Sequence, residues 1–154
     1  MNDEAAITNL LYRYAELIDA GDFAAAAQLF RYATLTSRDA QGDYYQSDHE
    51  QLLQRWRELI KGYPSGRPET KHLVTNPIVE VEGDAATARS YYTVLQQLGE
   101  SPVNVLASGR YHDRFERVDG AWRFTHRDYT LMDLRGDLSS HLELSRFRAR
   151  DRSK

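Results

Sequence analysis

The chain has 154 residues, of which 41% are hydrophobic and 28% charged, and its formal net charge is −3. This length fits one compact domain large enough to enclose a small cavity, and the negative charge argues against a nucleic-acid-binding surface. The absence of cysteines excludes disulfides, thiolate metal ligands and cysteine nucleophiles. No apolar run approaches a membrane span, and MNDEAAITNL lacks the order of a signal peptide, so we expect no membrane segment and a cytoplasmic location.

Helical periodicity dominates the first thirty residues. Residues 3–19 place apolar side chains at helical spacing, with Asn2 or Asp3 as the amino-terminal cap and Gly21 as the left-handed stop. DFAAAAQLF (22–30) begins with a capping aspartate and is rich in alanine, the best helix former. The sequence therefore predicts two helices packed as a hairpin.

Two short strands and a third helix are predicted next. Residues 32–46 carry β-forming residues on both sides of the turn DAQGD. The segment SDHEQLLQRWRELIKGYP (47–64) predicts a helix capped by Ser47 or Asp48 and ended by Gly62. The expected buried stripe of this helix is Leu52, Leu53, Trp56, Leu59 and Ile60.

The rest of the chain is rich in β-forming residues. Four runs separated by EGD, LGESP and VDG predict a meander of long strands, over residues 70–82, 85–98, 103–118 and 121–132. Helices followed by antiparallel strands indicate an α+β domain in which the helices cover one face of the sheet. We assign residues 1–140 to this single domain and residues 141–154 to a basic carboxy-terminal tail.

Strand alternation predicts which side chains face the interior. The inward group on the second and third long strands is Ala88, Ser90, Tyr92, Val94, Gly109, Tyr111, Asp113 and Phe115. The outward group on the third long strand is Arg110, His112, Arg114 and Glu116. On the first long strand, His72 shares a face with Val74, Asn76 and Ile78 unless Pro77 marks a bulge or an edge.

Asp19 and His72 have no evident structural task. A histidine whose ring is hydrogen-bonded to a carboxylate is held in one tautomer and becomes a better base for removing a proton from carbon. Other readings stay open, since Asp19 could be a solvated or capping group and His72 a satisfied core residue. On an ideal helix Asp19 lies beside the buried stripe, on a flank with Tyr12 and Ala15. A functional pair therefore requires this flank to face the interior.

Three segments resemble a known family over nearly the whole chain. They are LLYRYAELIDAGDFAAAAQLF, TKHLVTNPIVEVEGD and GRYHDRFERVDGAWRFTHRDYTLMD. Their order and spacing are similar to the SnoaL-like branch of the nuclear transport factor 2-like superfamily. The resemblance implies a cone-shaped, curved antiparallel sheet closed by the amino-terminal helices, and a homo-oligomer, either a dimer or a trimer.

Within that superfamily the chain resembles scytalone dehydratase, bile acid dehydratase and hexachlorocyclohexane dehydrochlorinase, which eliminate without cofactors. Their Asp–His dyad matches Asp19 and His72, and their donor five residues before the aspartate matches Tyr14. The arginine on the final strand of the dehydrochlorinase matches Arg127. Simple alternation points His126 inward and Arg127 outward, so this match requires a bulge. Gln96 or Gln97 replaces the second histidine of scytalone dehydratase, and Val94 replaces the additional aspartate of bile acid dehydratase.

The resulting hypothesis is a cofactor-independent elimination of a small, hydrophobic or cyclic substrate. His72 would act as the base and Asp19 would orient it, while Tyr14 and Arg127 would donate hydrogen bonds where charge gathers. The expected pocket walls are Trp56, Val74, Tyr92, Tyr111 and Phe115. No spacing of ligands predicts a metal site, and we expect no cofactor.

Two alternatives and one interface remain open at this stage. The chain could be a non-catalytic binding or assembly module, or it could shuttle a proton as ketosteroid isomerase does, with Asp113 as the base. The other histidines are expected outside the site, His49 at the third helix start, His112 on the outer face and His141 in the tail. The outer face, with Arg89 and Tyr91 added to the outward group, is the expected oligomer interface.

Overall fold

The computed structural model describes residues 1–146, and in this range three helices cover one face of a seven-stranded sheet. The helices are α1 (Asp3–Asp19), α2 (Phe23–Gln28) and α3 (His49–Leu59). The strands are β1 (Thr34–Arg38), β2 (Tyr44–Ser47), β3 (Thr70–Glu82), β4 (Ala85–Gln96), β5 (Asn104–Val118), β6 (Ala121–Asp128) and β7 (Met132–Arg135). The predicted α+β class is confirmed.

The helix boundaries follow from the local chemistry of their caps. The Asn2 side chain accepts from the backbone N–H of Ala5 at 2.7 Å, and α1 stops where Gly21 adopts a φ of 76°. A β-carbon on Gly21 would also collide with the carbonyl oxygen of Gly66. Asp48 and Gln51 form a reciprocal capping box at the start of α3.

The sheet is mixed and open. Its strands follow the order β2-β1-β6-β5-β4-β3, with β7 added beside β5. The predicted antiparallel meander from β3 to β6 is confirmed, and β1 adds a parallel pairing with β6 that the sequence did not predict. The edge strands β2 and β3 do not pair, so the sheet curves over the helices without closing. Only the side chains on its concave face join the core.

A bulge at Asn76 and Pro77 changes the face of strand β3. The pairing with β4 shifts between Thr75 and Ile78, and Asn76 adopts a φ of 56°. Ile78 is therefore exposed on the outer side, which corrects the prediction that it shares a face with His72. His72 and Val74 precede the bulge and remain on the inner side.

A second bulge sets the orientation of Arg127. Strand β5 pairs Arg114 with His126 and the next residue, Phe115, with Phe124, so Thr125 is the extra residue on β6. The alternation after Phe124 is reversed by this insertion. Arg127 consequently faces the core, and His126 contacts Thr36 at the outer surface.

The carboxy-terminal part of the described chain packs on the domain. Leu138 belongs to the core, and Ile60 and Leu142 form an antiparallel bridge. Residues 141–146, which were assigned to the tail, therefore lie against the end of α3, while residues 147–154 lie outside the described residues. Within residues 1–146, no helix has both the length and the apolar character needed to cross a membrane.

Candidate active site

Asp19 and His72 form a hydrogen-bonded pair at the end of α1. The Nδ1 atom of His72 lies 2.6 Å from Oδ1 of Asp19, and the exposed fractions of the two side chains are 8% and 19% respectively. Because an ionised carboxylate only accepts, Nδ1 carries the proton and Nε2 is left with the free lone pair. The ring is thus held in the tautomer that a general base requires.

Two further donors fix the Asp19 carboxylate. The backbone N–H of His72 donates to Oδ2 at 2.8 Å, and the Thr70 hydroxyl donates to Oδ1 at 3.0 Å. Asp19 is the last residue of α1, so its side chain extends past the helix to the first residues of β3. The sequence did not settle whether the flank of α1 with Tyr12 and Ala15 faces the interior. In the structure Ala15 is buried and Tyr12 is exposed, so only part of this flank does.

Tyr14 lies between this dyad and a group of aromatic rings. Its ring is perpendicular to that of His72, with 6.4 Å between the centroids, and it also contacts Trp56 and Tyr111. The hydroxyl of Tyr129 donates to that of Tyr14 at 3.1 Å. The Tyr14 proton is therefore free to be donated to another acceptor. Tyr129 comes directly after β6, and alternation did not identify it.

Arg127 is fully buried behind Tyr14 and paired with Asp113. Its Nε and Nη2 atoms donate to the two carboxylate oxygens at 2.8 and 3.0 Å. The guanidinium carbon lies 3.7 Å from the ring centroid of Tyr111 and 4.4 Å from that of Tyr14. Burial lowers the pKa of Arg127, but the Asp113 carboxylate outweighs this effect and holds that pKa well above its ordinary value.

The phenols around Arg127 stay protonated at neutral pH. Burial raises the pKa of Tyr92 to about 12. Burial also raises the pKa values of Tyr111 and Tyr129 well above the usual range, against the opposing effect of the Arg127 charge. These hydroxyls can therefore donate hydrogen bonds under physiological conditions.

The predicted pocket walls are only partly brought together. Trp56 and Tyr129 both line a pocket of about 320 Å³ between α3, β2 and the carboxy-terminal segment. Tyr92 and Tyr111 stack at 4.5 Å in the core, and Val74 packs against the same core. Phe115 instead contacts Phe124, with 4.6 Å between the rings, and belongs to the packed core. Asp19 and His72 are not among the residues that line this pocket.

His141 lies near the dyad, contrary to the expectation that it belongs to the tail. Its Nδ1 atom is buried and has no hydrogen-bond partner among residues 1–146. Burial, and to a smaller extent the neighbouring His72, lower the pKa of His141 to about 4, while the Asp19 carboxylate opposes the shift. Sequence reasoning missed this residue because it follows the last strand in a segment without periodicity.

The remaining histidines lie away from the dyad. His49 begins α3, while His112 and His126 line a depression on the outer face of the sheet. Gln96 is buried and hydrogen-bonded to Ser140, whereas Gln97 is exposed. Within residues 1–146, no group of three His, Cys, Asp or Glu side chains is placed to hold a metal ion.

Comparisons with known proteins agree with this architecture. The family model of the SnoaL-like domain matches residues 1–128 of the chain. A search of curated proteins found no match. Three solved structures from Novosphingobium aromaticivorans illustrate the structural similarity, each with TM-scores above 0.6.

The first of these is an NTF2-like protein with a cystatin-like fold, at 22% identity and a TM-score of 0.66, covering 90% of this chain and 86% of that one. The second is the beta subunit of a provisionally assigned aromatic-ring-hydroxylating dioxygenase, at 18% identity and a TM-score of 0.67, covering 90% of this chain and 94% of that one. The third is a provisionally assigned scytalone dehydratase, at 20% identity and a TM-score of 0.64, covering 86% of this chain and 85% of that one. At these identities the similarity shows a common fold and no activity.

Proposed function

This chain belongs to the family of SnoaL-like domains, and we propose that it is a lyase that eliminates water or a related leaving group without a cofactor. The single observation that carries the proposal is the 2.6 Å contact between Nδ1 of His72 and Oδ1 of Asp19. The fold alone supports several functions, so the proposal depends on this pair.

His72 acts as the general base through Nε2. Because Nδ1 is held by Asp19, the free lone pair lies on the far side of the ring, where it removes a proton from a carbon next to an electron-withdrawing group. The Asp19 carboxylate stabilises the imidazolium that forms. Its contacts with Thr70 and the His72 backbone fix the carboxylate before the substrate binds.

Tyr14 donates a hydrogen bond to the oxygen that gathers negative charge. Its hydroxyl accepts from Tyr129, which aligns it and leaves its own proton available. Arg127 lies on the face of the Tyr14 ring, where its guanidinium is held by Asp113. Because the Asp113 carboxylate balances its charge, Arg127 acts by holding the Tyr14 ring in place through this contact.

The substrate is a small, mainly apolar molecule with one or two oxygens. Trp56 and Tyr129 supply aromatic surface that suits a ring, and the pocket of about 320 Å³ that both residues line has the size of a small ligand site. Asp113 does not support the proton-shuttling alternative, because Arg127 occupies both of its oxygens.

The test is a screen of small cyclic β-hydroxy and β-halo carbonyl compounds for elimination, followed by variants of the dyad. His72→Ala and His72→Gln should each lower turnover by about 10²–10⁴-fold, because neither side chain accepts a proton. Asp19→Asn should reproduce much of this loss, since it removes the charge that favours the imidazolium. His112→Ala is the matched control, because His112 is an exposed histidine on the outer face.

Two results would contradict the proposal. Turnover that survives in His72→Ala would exclude His72 as the base. A broad panel without any turnover, with ligand affinity that depends on Trp56 and Tyr92 but not on His72, would instead identify a binding module. In that case removing either aromatic side chain should weaken the ligand by about 1–3 kcal/mol through lost apolar burial.

A further inference from the structure

Residues 136–146 form a carboxy-terminal strap that runs from β5 to the end of α3. The backbone N–H of Gly136 donates to the carbonyl of Leu106 at 2.8 Å, and Leu138 is inserted into the core. Farther along, the backbone N–H of Glu143 donates to the carbonyl of Leu59 at 2.7 Å. The strap is thus held by backbone bonds on both sides of its middle.

The middle of the strap is fixed most firmly, at Ser140 and His141. The Ser140 hydroxyl donates to the Gln96 side chain at 2.6 Å, and the Tyr63 hydroxyl donates to the Ser140 carbonyl. The His141 carbonyl accepts from the backbone N–H of Lys61 at 2.8 Å. The position of the His141 side chain is therefore determined by the neighbouring backbone.

The same contacts place the strap beside the dyad. Gln96, which binds Ser140, is the pairing partner of Thr70 across β3 and β4. Thr70 in turn donates to Asp19. Only one pair of strand residues therefore separates the strap from the Asp19 carboxylate, and the charges of Asp19 and His72 act on the pKa of the neighbouring His141.

His141 has an unused hydrogen-bonding atom at this position. Its pKa of about 4 makes the imidazole neutral at physiological pH, so one ring nitrogen carries a hydrogen and the other accepts. Nδ1 is buried without a partner among residues 1–146. Buried polar atoms of native proteins almost always have a partner, so this ring nitrogen is available to a hydrogen-bonding group that enters beside it.

We propose that His141 is a substrate-binding residue of this site, whose Nδ1 forms a hydrogen bond with an oxygen of the substrate while His72 removes the proton from carbon. This inference rests on the proposed function. The C–H electrons form the new double bond as the C–O bond breaks, and the proton taken by His72 leaves with the hydroxide as water. His141 gives a hydrogen bond only and is unchanged after each turnover.

The test measures binding and does not require turnover. The probes are 1-tetralone, 1-tetralol and their hydrocarbon tetralin, added to protein with ¹⁵N-labelled histidine. The oxygenated probes should shift the Nδ1 resonance of His141, and tetralin should not. In His141→Phe, the affinity advantage of the oxygenated probes over tetralin should fall by about fivefold or more, which corresponds to one hydrogen bond.

Two further variants make the result specific. His141→Asn keeps a polar group near Nδ1 and should retain part of the advantage, and His112→Phe on the outer face should leave it unchanged. An unchanged advantage in His141→Phe would overturn the inference, as would oxygenated probes that leave the Nδ1 resonance of the native protein in place. If His141→Phe does not fold, the shift of the His141 Nδ1 resonance in the native protein decides the test without the variant. Survival of turnover in His72→Ala would instead exclude His72 as the base and leave this binding result standing.

Discussion

Two arginine–aspartate pairs in this protein have nearly the same geometry and opposite surroundings. Arg127 donates to both oxygens of Asp113 at 2.8 and 3.0 Å, and Arg110 donates to both oxygens of Asp133 at 3.0 Å. The first pair is fully buried and the second lies at the surface. A buried charge that loses its partner cannot be solvated by water, whereas an exposed one can.

Asp113→Ala should therefore destabilise the protein by about 3–5 kcal/mol, because it leaves the Arg127 charge buried and unpaired. Asp133→Ala is the matched control and should barely change stability, since water replaces the lost partner. The double variant Asp113→Leu/Arg127→Met should recover much of the loss, because it removes both charges. Urea unfolding of the three variants checks this, and equal effects of the two single substitutions would contradict it.

Residue patterns predicted some members of the candidate site better than others. The family resemblance named Asp19, His72 and Tyr14, and the structure brings all three together. The Asp113–Arg127 pair could have been identified only with the bulge at Thr125, because that insertion makes the two residues pairing partners. The position of His141 depends on contacts of the strap with α3 and β4, and no local pattern encodes such contacts.

The elements were predicted most closely where their boundaries depend on local chemistry. The predicted run 70–82 is the whole of β3, and α1 begins and ends where its cap and Gly21 place it. The run predicted at 121–132 is instead divided, because the chain leaves β6 after Asp128 and pairs again with β5 as β7. That second pairing is a tertiary contact between distant residues, which alternation along one strand cannot reveal.

The capping box of α3 gives a prediction at the scale of this element. Asp48→Ala removes the bond from the carboxylate to the backbone N–H of Gln51, which measures 2.9 Å. We expect a loss of about 1 kcal/mol, and Asp48→Ser should restore most of it because serine is an equally good cap. Gln54→Ala, an exposed substitution in the same helix, is the control. Equal free energies of unfolding for Asp48→Ala and Gln54→Ala, measured in urea, would contradict the role of the cap.

Assembly is a property of the whole molecule, and the outer sheet face remains the predicted interface. Strand register aligns Leu73, Thr93, Ser108 and Leu134 in one row across this face. Leu134 is 67% exposed and Tyr91 is 52% exposed beside the row. Exposed apolar side chains in a mixed polar face are typical of protein interfaces.

We therefore expect a homo-oligomer at micromolar concentration, with a mass that is a multiple of 17.8 kDa. Leu134→Asp should weaken the association, because it places a charge in an apolar contact, and Val81→Asp away from the row should not. Light scattering measures both. A native protein that elutes as a monomer would contradict the prediction, and an oligomer unaffected by Leu134→Asp would place the interface elsewhere.

The contact between Asp19 and the backbone of His72 has a consequence for aggregation. β3 is an edge strand, and unpaired N–H and C=O groups at an edge can recruit a strand from another molecule. Here the carboxylate of Asp19 occupies the N–H of His72, and farther along the strand Pro77 has no N–H to offer. The residue proposed to orient the catalytic base thus also shields the sheet from intermolecular strand addition, so replacing Asp19 removes a barrier to fibril-like association as well as a charge.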